Sequence, residues 1–261
     1  MLKSGVVLFL YPNDNKFPET IQQPRRIWPS CYPKEDLFFD DKERVCRYIR
    51  NIGYYRLSAY FYPFLEIPKD RQIFKQGSSF EAAIKLYRFD KKLRLFMFNE
   101  IEKIEVAVRC AIVDFGTEMT GNPFWMTDGD GFSNPSKFNR SLRLIEEELN
   151  HTKEDFINHF KETYSNQYPP SWMLTEILPF GVITNIYSNI RNKKIKKRIA
   201  QSFGLQVAPF ESWLTIIAVA RSSCCHHARI WNKNILYSCY VADENVTPLD
   251  YVADRFTESL L

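Results

Sequence analysis

The sequence lacks the features of a membrane, secreted or sheet-based protein. No apolar stretch reaches the ~18 residues of a spanning helix, and the apolar run near the N-terminus is only about half of a signal-peptide core, without a small-residue cleavage site. Apolar and polar residues never alternate for more than a few positions, and no internal repeat occurs. We therefore expect a soluble helical protein without a membrane as a partner.

The six cysteines, at positions 31, 46, 110, 224, 225 and 239, have no regular spacing, and no secretory address accompanies them. Reduced thiols in the cytoplasm are therefore expected rather than a disulfide framework. The formal net charge of +4 is compatible with a polyanionic partner but far below that of a histone-like binder. With 45% hydrophobic and 25% charged residues, the chain is predicted to be globular over most of its length.

Prolines divide the chain into an irregular N-terminal arm and a helical domain. Residues 1–35 carry Pro12, Pro18, Pro24, Pro29 and Pro33, a density that breaks both helices and sheets. Residues 36–261 are short enough for a single domain.

Apolar residues at helical spacing predict an α-helical bundle in that domain. The capping residues Asp40 and Asp41 begin a first helix that Gly53 ends, and a second helix begins at Tyr54. A capping box at residues 78–81 begins the longest helix, which we expect to end at Gly116 before a long loop over residues 117–135. Further helices are predicted at about residues 136–150, 153–164, 171–178, 182–190, 193–203, 209–220 and 249–260.

Two of these helices carry apolar faces that we assign to the core. In the second helix the face consists of Tyr55, Leu57, Tyr60, Phe61 and Phe64, with base stacking as the functional alternative. In the longest helix it consists of Phe89, Leu93, Phe96, Ile101, Ile104, Val108 and Ile112. The segment DGDG at residues 128–131 lacks the later ligands of a calcium loop, which favours solvated turn residues.

The segment RSSCCHHARIWN at residues 221–232 places two cations, two imidazoles and two thiols directly after an apolar helix. Arg221 can bind a phosphate through two hydrogen bonds, and His226 can give or take a proton near neutral pH. A ribonuclease that uses no metal or other cofactor needs these groups. The 2′-hydroxyl of RNA is its nucleophile, a base and an acid move protons, and a guanidinium stabilises the charge on phosphorus.

Cys224, Cys225, His226 and His227 could instead form a zinc site. Neighbouring helical residues point about 100° apart, however, so four consecutive side chains cannot converge on one tetrahedral ion. Core packing is the favoured interpretation of the two cysteines. For the histidines, satisfied hydrogen bonds in the core are the structural alternative to catalysis.

The segment resembles the pattern RNxxAHHxRLWN of Abi-type proteins of the AbiD and AbiF kind, which is an instance of the R-x4-6-H motif of HEPN ribonucleases. Further matches occur in the same order at IGYYRLSAY (52–60), LYRFDKKLR (86–94), IEKIEVAVR (101–109), EDF (154–156) and ESWL (211–214), so the resemblance covers about residues 40–235. Ser222 stands where the family usually has asparagine, and Cys225 stands where it usually has alanine.

The resemblance implies a HEPN-like helical bundle and a metal-independent endoribonuclease of phage defence. Its catalytic residues would be Arg221 and His226, at a site shared between two domains. Supporting roles would fall to Ser222, which keeps a hydrogen-bonding group, to His227, which also meets the motif's spacing, and to Arg229 and Asn232. Arg229 would contact either a flanking phosphate or a carboxylate. A toxic activity of this kind implies a neutralising RNA or protein partner as well.

Helix geometry points to a homodimer independently of the resemblance. Five residues along an ideal helix turn the direction by about 140°, so Arg221 and His226 of one chain do not naturally point at one atom. Either the helix is irregular there or a second copy completes the site. A two-fold axis that brings two His226 side chains together would supply both an acid and a base.

The run RNKKIKKR at residues 191–198 has six cations in eight residues. A solvated helix face is the ordinary explanation, and contact with an RNA backbone is the functional one. The RNA-binding candidates are Lys193, Lys194, Lys196, Lys197 and Arg198.

Two other functions stay open. A catalytically silent HEPN module that binds RNA or a partner protein is favoured by Ser222, whose side chain is shorter than the usual asparagine. A nucleotide-binding regulator is the third candidate.

Overall fold

A computed structural model describes residues 37–71 and 73–233. That part of the chain contains nine α-helices and no β-strand, so the all-α prediction is confirmed. The helices are α1 (Lys42–Ile52), α2 (Tyr54–Phe61), α3 (Phe80–Thr120), α4 (Pro135–His151), α5 (Asp155–Thr163), α6 (Ser171–Ile177), α7 (Phe180–Asn189), α8 (Lys193–Ser202) and α9 (Val207–Cys225). The N-terminal arm, Cys31, Cys239 and the helix expected at 249–260 lie outside the described residues.

Short polar side chains begin several helices where the sequence predicts a boundary. The Asp41 carboxylate accepts the amide of Arg44 at 3.0 Å, and Gly53, with φ 89°, separates α1 from α2. Asn134 and Asn192 cap α4 and α8 in the same way, because each side-chain oxygen accepts an amide that the first turn leaves unpaired.

The two ends of α3 differ from the prediction. Its N-terminus is capped by Ser79, whose Oγ accepts the amide of Ala82 at 3.2 Å, whereas Glu81 pairs with Arg44 instead of closing a capping box. Its C-terminus lies at Thr120, not at Gly116, and Gly121 follows with φ 64°. Gly116 serves packing instead, because a Cβ there would lie 2.5 Å from the Trp125 ring.

The chain forms two compact units that divide between Leu93 and Arg94, within α3. A single domain over residues 36–261 stays a prediction. The core of the first unit consists of Leu37, Val45, Ile49, Leu57, Tyr60, Phe61, Phe80, Ala83 and Ile84. Leu57, Tyr60 and Phe61 are therefore core residues as predicted. The prediction that Tyr55 belongs to the core is wrong, because this residue is 64% exposed. Phe64 is half-buried.

The second unit is built around α7, which contacts α4 and α9 and has six of its ten residues buried. Ile101, Val108 and Ile112 of α3 are buried in this unit, as predicted, and Ile104 is half-buried. Tyr168 lies between α5 and α6, and its hydroxyl donates to Glu146 of α4 at 2.7 Å. Burial, and then this hydrogen bond, raise the pKa of Tyr168 to about 12.

The predicted apolar face of α3 is wrong at Phe89 and Phe96, which are 50% and 65% exposed, while Leu93 is half-buried. The buried positions between them belong to polar residues, Asp90 and Arg94. Each has a partner that makes burial tolerable: Asp90 accepts the hydroxyl of Tyr60 at 2.5 Å, and Arg94 donates to a backbone carbonyl.

No single helix in the described residues is long and apolar enough to cross a membrane. The helices α8 and α9 are long and apolar enough only when they are taken together, and the chain bends by 68° between them.

Candidate active site at the C-terminus of α9

The segment with the predicted chemistry lies at the last turn of α9. This helix packs against α7 and α8 and buries Phe210, Leu214, Ala220 and Cys224. The apolar side chains fix one face of the helix in the core of the second unit. The polar residues from Arg221 onward therefore sit on a firmly packed support.

The helix ends in a Schellman motif at the two histidines. His226 is the C-cap, and His227 follows in the left-handed conformation with φ 54°. The amide of His227 donates to Cys224 O at 3.1 Å, and that of Ala228 donates to Ser223 O at 2.9 Å, which is the bond pattern of this motif. The amide of His226 still donates to Ser222 O at 3.0 Å, so the chain departs from the helical pattern only at His227.

The left-handed residue of a Schellman motif is usually glycine or asparagine. A residue with a Cβ is strained in that conformation, and such strained positions occur preferentially at functional sites. Both histidines are exposed. The chain turns sharply here and leaves two imidazoles at the surface.

Arg221 lies one turn before the helix end and is oriented by a carboxylate from α3. Its Nε donates to Glu105 Oε2 at 3.1 Å. The Arg221 side chain is 37% exposed, whereas that of Glu105 is 12% exposed. Its two Nη groups have no acceptor among the described residues, so one edge of the guanidinium is available for a ligand.

Glu105 is itself held by a second arginine. Arg109 Nη2 lies 2.5 Å from Glu105 Oε1, one turn away on α3. Nη1 of the same guanidinium donates to Leu178 O at 2.9 Å and also to Thr175 O. These carbonyls lie at the C-terminus of α6, where helix carbonyls lack intrahelical partners and a cation is favoured.

Arg94 fixes the chain after the histidines. It is almost fully buried, and its Nη1 donates to Ala228 O at 3.3 Å. The segment that contains both histidines is therefore held at each end, by Glu105 through Arg221 and by Arg94 through Ala228.

The predicted supporting residues are distributed around this turn. Ser222 and Asn232 are exposed and Arg229 is half-buried. Asn232 is left-handed, with φ 51°, a conformation that asparagine tolerates better than most residues. Their roles stay predictions.

The two cysteines of the segment differ in burial. Cys224 is buried in the core and Cys225 is half-buried, and both are free thiols. No group of three histidine, cysteine or acidic side chains that could hold a metal ion occurs in the described residues.

The basic run forms α8 and its N-terminal flank, and its cations do not all face solvent. Lys193, Lys194, Lys197 and Arg198 are exposed. Lys196 points inward, where its ammonium pairs with Glu211, donates to Ser188 O at 3.0 Å, and lies 5.6 Å from the centre of the Tyr187 ring. Burial, and then the charge of Glu211, raise the pKa of Tyr187.

Glu105, Arg109 and Arg94 were not predicted as site residues, although the segments that contain them were singled out. The position of Glu105 could have identified it, because it lies on the buried face of α3 together with Ile101, Val108 and Ile112. A charged residue at a core position needs a partner, and the arginine of the motif is one.

The family model described as Abi-like protein matches residues 47–232. No curated protein matches the chain, and no solved structure does.

Proposed function

The chain belongs to the Abi-like protein family, which suggests abortive-infection phage defence, and from that premise we propose that it is a metal-independent endoribonuclease. Arg221 and His226 are its catalytic residues in this proposal. The observation that carries it is the accessible guanidinium edge of Arg221 on the same helix end as the exposed imidazole of His226.

The reaction uses groups that RNA and these two residues supply. A base removes the proton of the 2′-hydroxyl, the 2′-oxygen bonds to phosphorus, and the bond from phosphorus to the 5′-oxygen breaks. An acid protonates that leaving oxygen, so the products carry a 2′,3′-cyclic phosphate and a 5′-hydroxyl. Arg221 stabilises the negative charge that grows on the phosphoryl oxygens, and His226 moves a proton.

A homodimer is part of the proposal, because the reaction needs an acid and a base at the same time. Two His226 side chains related by a two-fold axis would divide these tasks, and each chain would contribute one Arg221. Light scattering coupled to size-exclusion chromatography measures the assembly directly. An active monomer would contradict this part of the proposal.

The exposed cations of α8 are proposed to contact the RNA backbone in the cytoplasm, where a neutralising RNA or protein partner restrains the activity. Phosphate contacts of this kind position the substrate without reading its sequence. Lys196 is left out of this surface because its ammonium is already paired with Glu211.

One specific observation favours a second function, a silent module that binds RNA or a partner protein. Ser222 is exposed beside Arg221, where the related family pattern has the longer asparagine side chain. If the catalytic turn needs that amide, the site binds a phosphate without cleaving it.

Incubation of the purified protein with end-labelled RNA in excess EDTA separates the two functions. Cleavage that leaves 2′,3′-cyclic phosphate ends is the result that the nuclease predicts. Retention of intact RNA would favour the binding module and reject the nuclease. Growth during induced expression of the wild type and of Arg221→Ala tests the defence role, since only the wild type should arrest growth.

A further inference from the structure

Glu105 is a buried carboxylate whose two oxygens are both bound by arginines. Oε1 receives Arg109 and Oε2 receives Arg221, and the Glu105 side chain is 12% exposed. A buried charge is costly unless it is paired and hydrogen-bonded on all sides, and here two cations surround one anion. The three side chains together therefore carry one net positive charge, and Arg221 is the most exposed of them.

The geometry of the contact leaves Arg221 ready for a phosphate. A guanidinium has five N–H donors, and Glu105 takes the one on Nε. The Nη1 and Nη2 pair, which matches the spacing of two phosphate oxygens, stays on the opposite edge. A carboxylate bound at the Nη pair would compete with the substrate, whereas one bound at Nε orients the group without blocking it.

Arg109 makes this orientation rigid. It ties the carboxylate to the C-terminal carbonyls of α6, through Leu178 O at 2.9 Å and through Thr175 O. Three elements, α3, α6 and α9, thus meet at one chain of hydrogen bonds that ends at the Arg221 side chain. A group held in its bound conformation before the ligand arrives loses less entropy on binding.

We propose that Glu105 is a positioning residue, which holds Arg221 by Nε so that its Nη edge faces a phosphate of the substrate, with Arg109 fixing Glu105 in turn. The inference rests on the proposed function only in naming that phosphate as part of an RNA. Glu105 does not touch the substrate, and its effect passes entirely through Arg221.

Glu105→Gln is the sharpest variant, because it keeps the size of the side chain. An amide has one oxygen and one NH2 group, so it can accept from only one of the two arginines and presents donors to the other. Glu102→Gln is the matched control: the same change on the same helix, at an exposed position one turn earlier. Glu105→Asp keeps the charge and should restore part of the function, and thermal unfolding of each variant verifies that it is folded.

The readout is a double-mutant cycle with Arg221→Lys, measured on binding of an uncleavable 2′-O-methyl RNA and on single-turnover cleavage of the unmodified RNA. Lysine keeps the charge but has no Nε to be held. We expect Glu105→Gln to weaken binding or slow cleavage about tenfold when residue 221 is arginine, and about twofold or less when it is lysine. Glu102→Gln should change neither.

An equal loss in both backgrounds would overturn the inference, since a merely structural ion pair lowers function whatever stands at position 221. Failure of the proposed function is recognised separately. If the wild type never cleaves RNA but the binding cycle is coupled, the nuclease is rejected and the positioning role stands. If neither cleavage nor coupling is found, both are rejected.

Discussion

Replacing His227 by glycine and by alanine tests whether the end of α9 is strained as its backbone indicates. His227 has φ 54° at the left-handed position of the Schellman motif. That conformation destabilises a residue with a Cβ by roughly 1–2 kcal/mol. Glycine avoids this strain, but it loses more conformational freedom on folding, which lowers stability by about 0.5–1 kcal/mol. We therefore expect His227→Gly to be about 0.5–1 kcal/mol more stable than His227→Ala.

Both variants lack the imidazole, so contacts of that side chain do not contribute to the difference in stability between them. Urea unfolding followed by circular dichroism measures the free energies, and the expected difference in melting temperature is about 1–4 °C. Ser222 supplies a control of opposite sign, since it lies in the regular helix. There glycine should be less stable than alanine by about 1 kcal/mol. If His227→Gly is no more stable than His227→Ala, the reasoning about this turn is refuted.

Three further predictions concern packing, RNA binding and pH. Gly116→Ala should destabilise the protein by about 1–3 kcal/mol in urea unfolding, because its Cβ would meet a buried indole, whereas Gly181→Ala, with nothing within 4 Å, should not; equal effects would refute the packing account. Reversing the charge of the three exposed lysines of α8 should weaken binding of single-stranded RNA and flatten its dependence on salt by about 0.7 per lost phosphate contact, and unchanged affinity would leave α8 a solvated face. Because the pKa of Tyr168 is raised to about 12, its contribution to stability is complete below the unfolded pKa near 10 and is lost as the pH rises to about 12. The loss of stability between about pH 10 and pH 12 should therefore be smaller in Tyr168→Phe than in the wild type. Identical dependence of the unfolding free energy on pH in the two proteins would contradict this role of Tyr168.

Helix boundaries could be predicted because their causes are local. Asp41, Gly53, Asn134 and Asn192 each act on residues within a few positions, so the sequence beside them contains the whole explanation. Gly116 shows the limit of that reasoning. Its role depends on Trp125, and no local pattern tells a packing glycine from a terminating one.

The motif at the end of α9 was recognisable, but its support was not. Arg221 and Glu105 are 116 positions apart, and Arg94 and Ala228 are 134 apart. Periodicity assigns buried positions to apolar residues, so it overlooked Arg94 and placed Phe96 in the core instead. Buried charges become understandable only when the fold supplies their partners.

The position of Lys196 was hidden for a related reason. Within a basic run every cation has the same local surroundings, yet α8 turns this one inward to Glu211 and leaves its neighbours exposed. Likewise, nothing in the sequence marked His227 as a left-handed residue, because glycine and asparagine are the usual signals.

The most direct measurement of the central claim is the single-turnover rate of RNA cleavage in excess EDTA for the wild type, Arg221→Ala, His226→Ala and His227→Ala. Each of the first two replacements should lower the rate at least about 100-fold, the usual scale for one catalytic group, and His227→Ala should cost less. Equal rates for all four proteins would contradict the account.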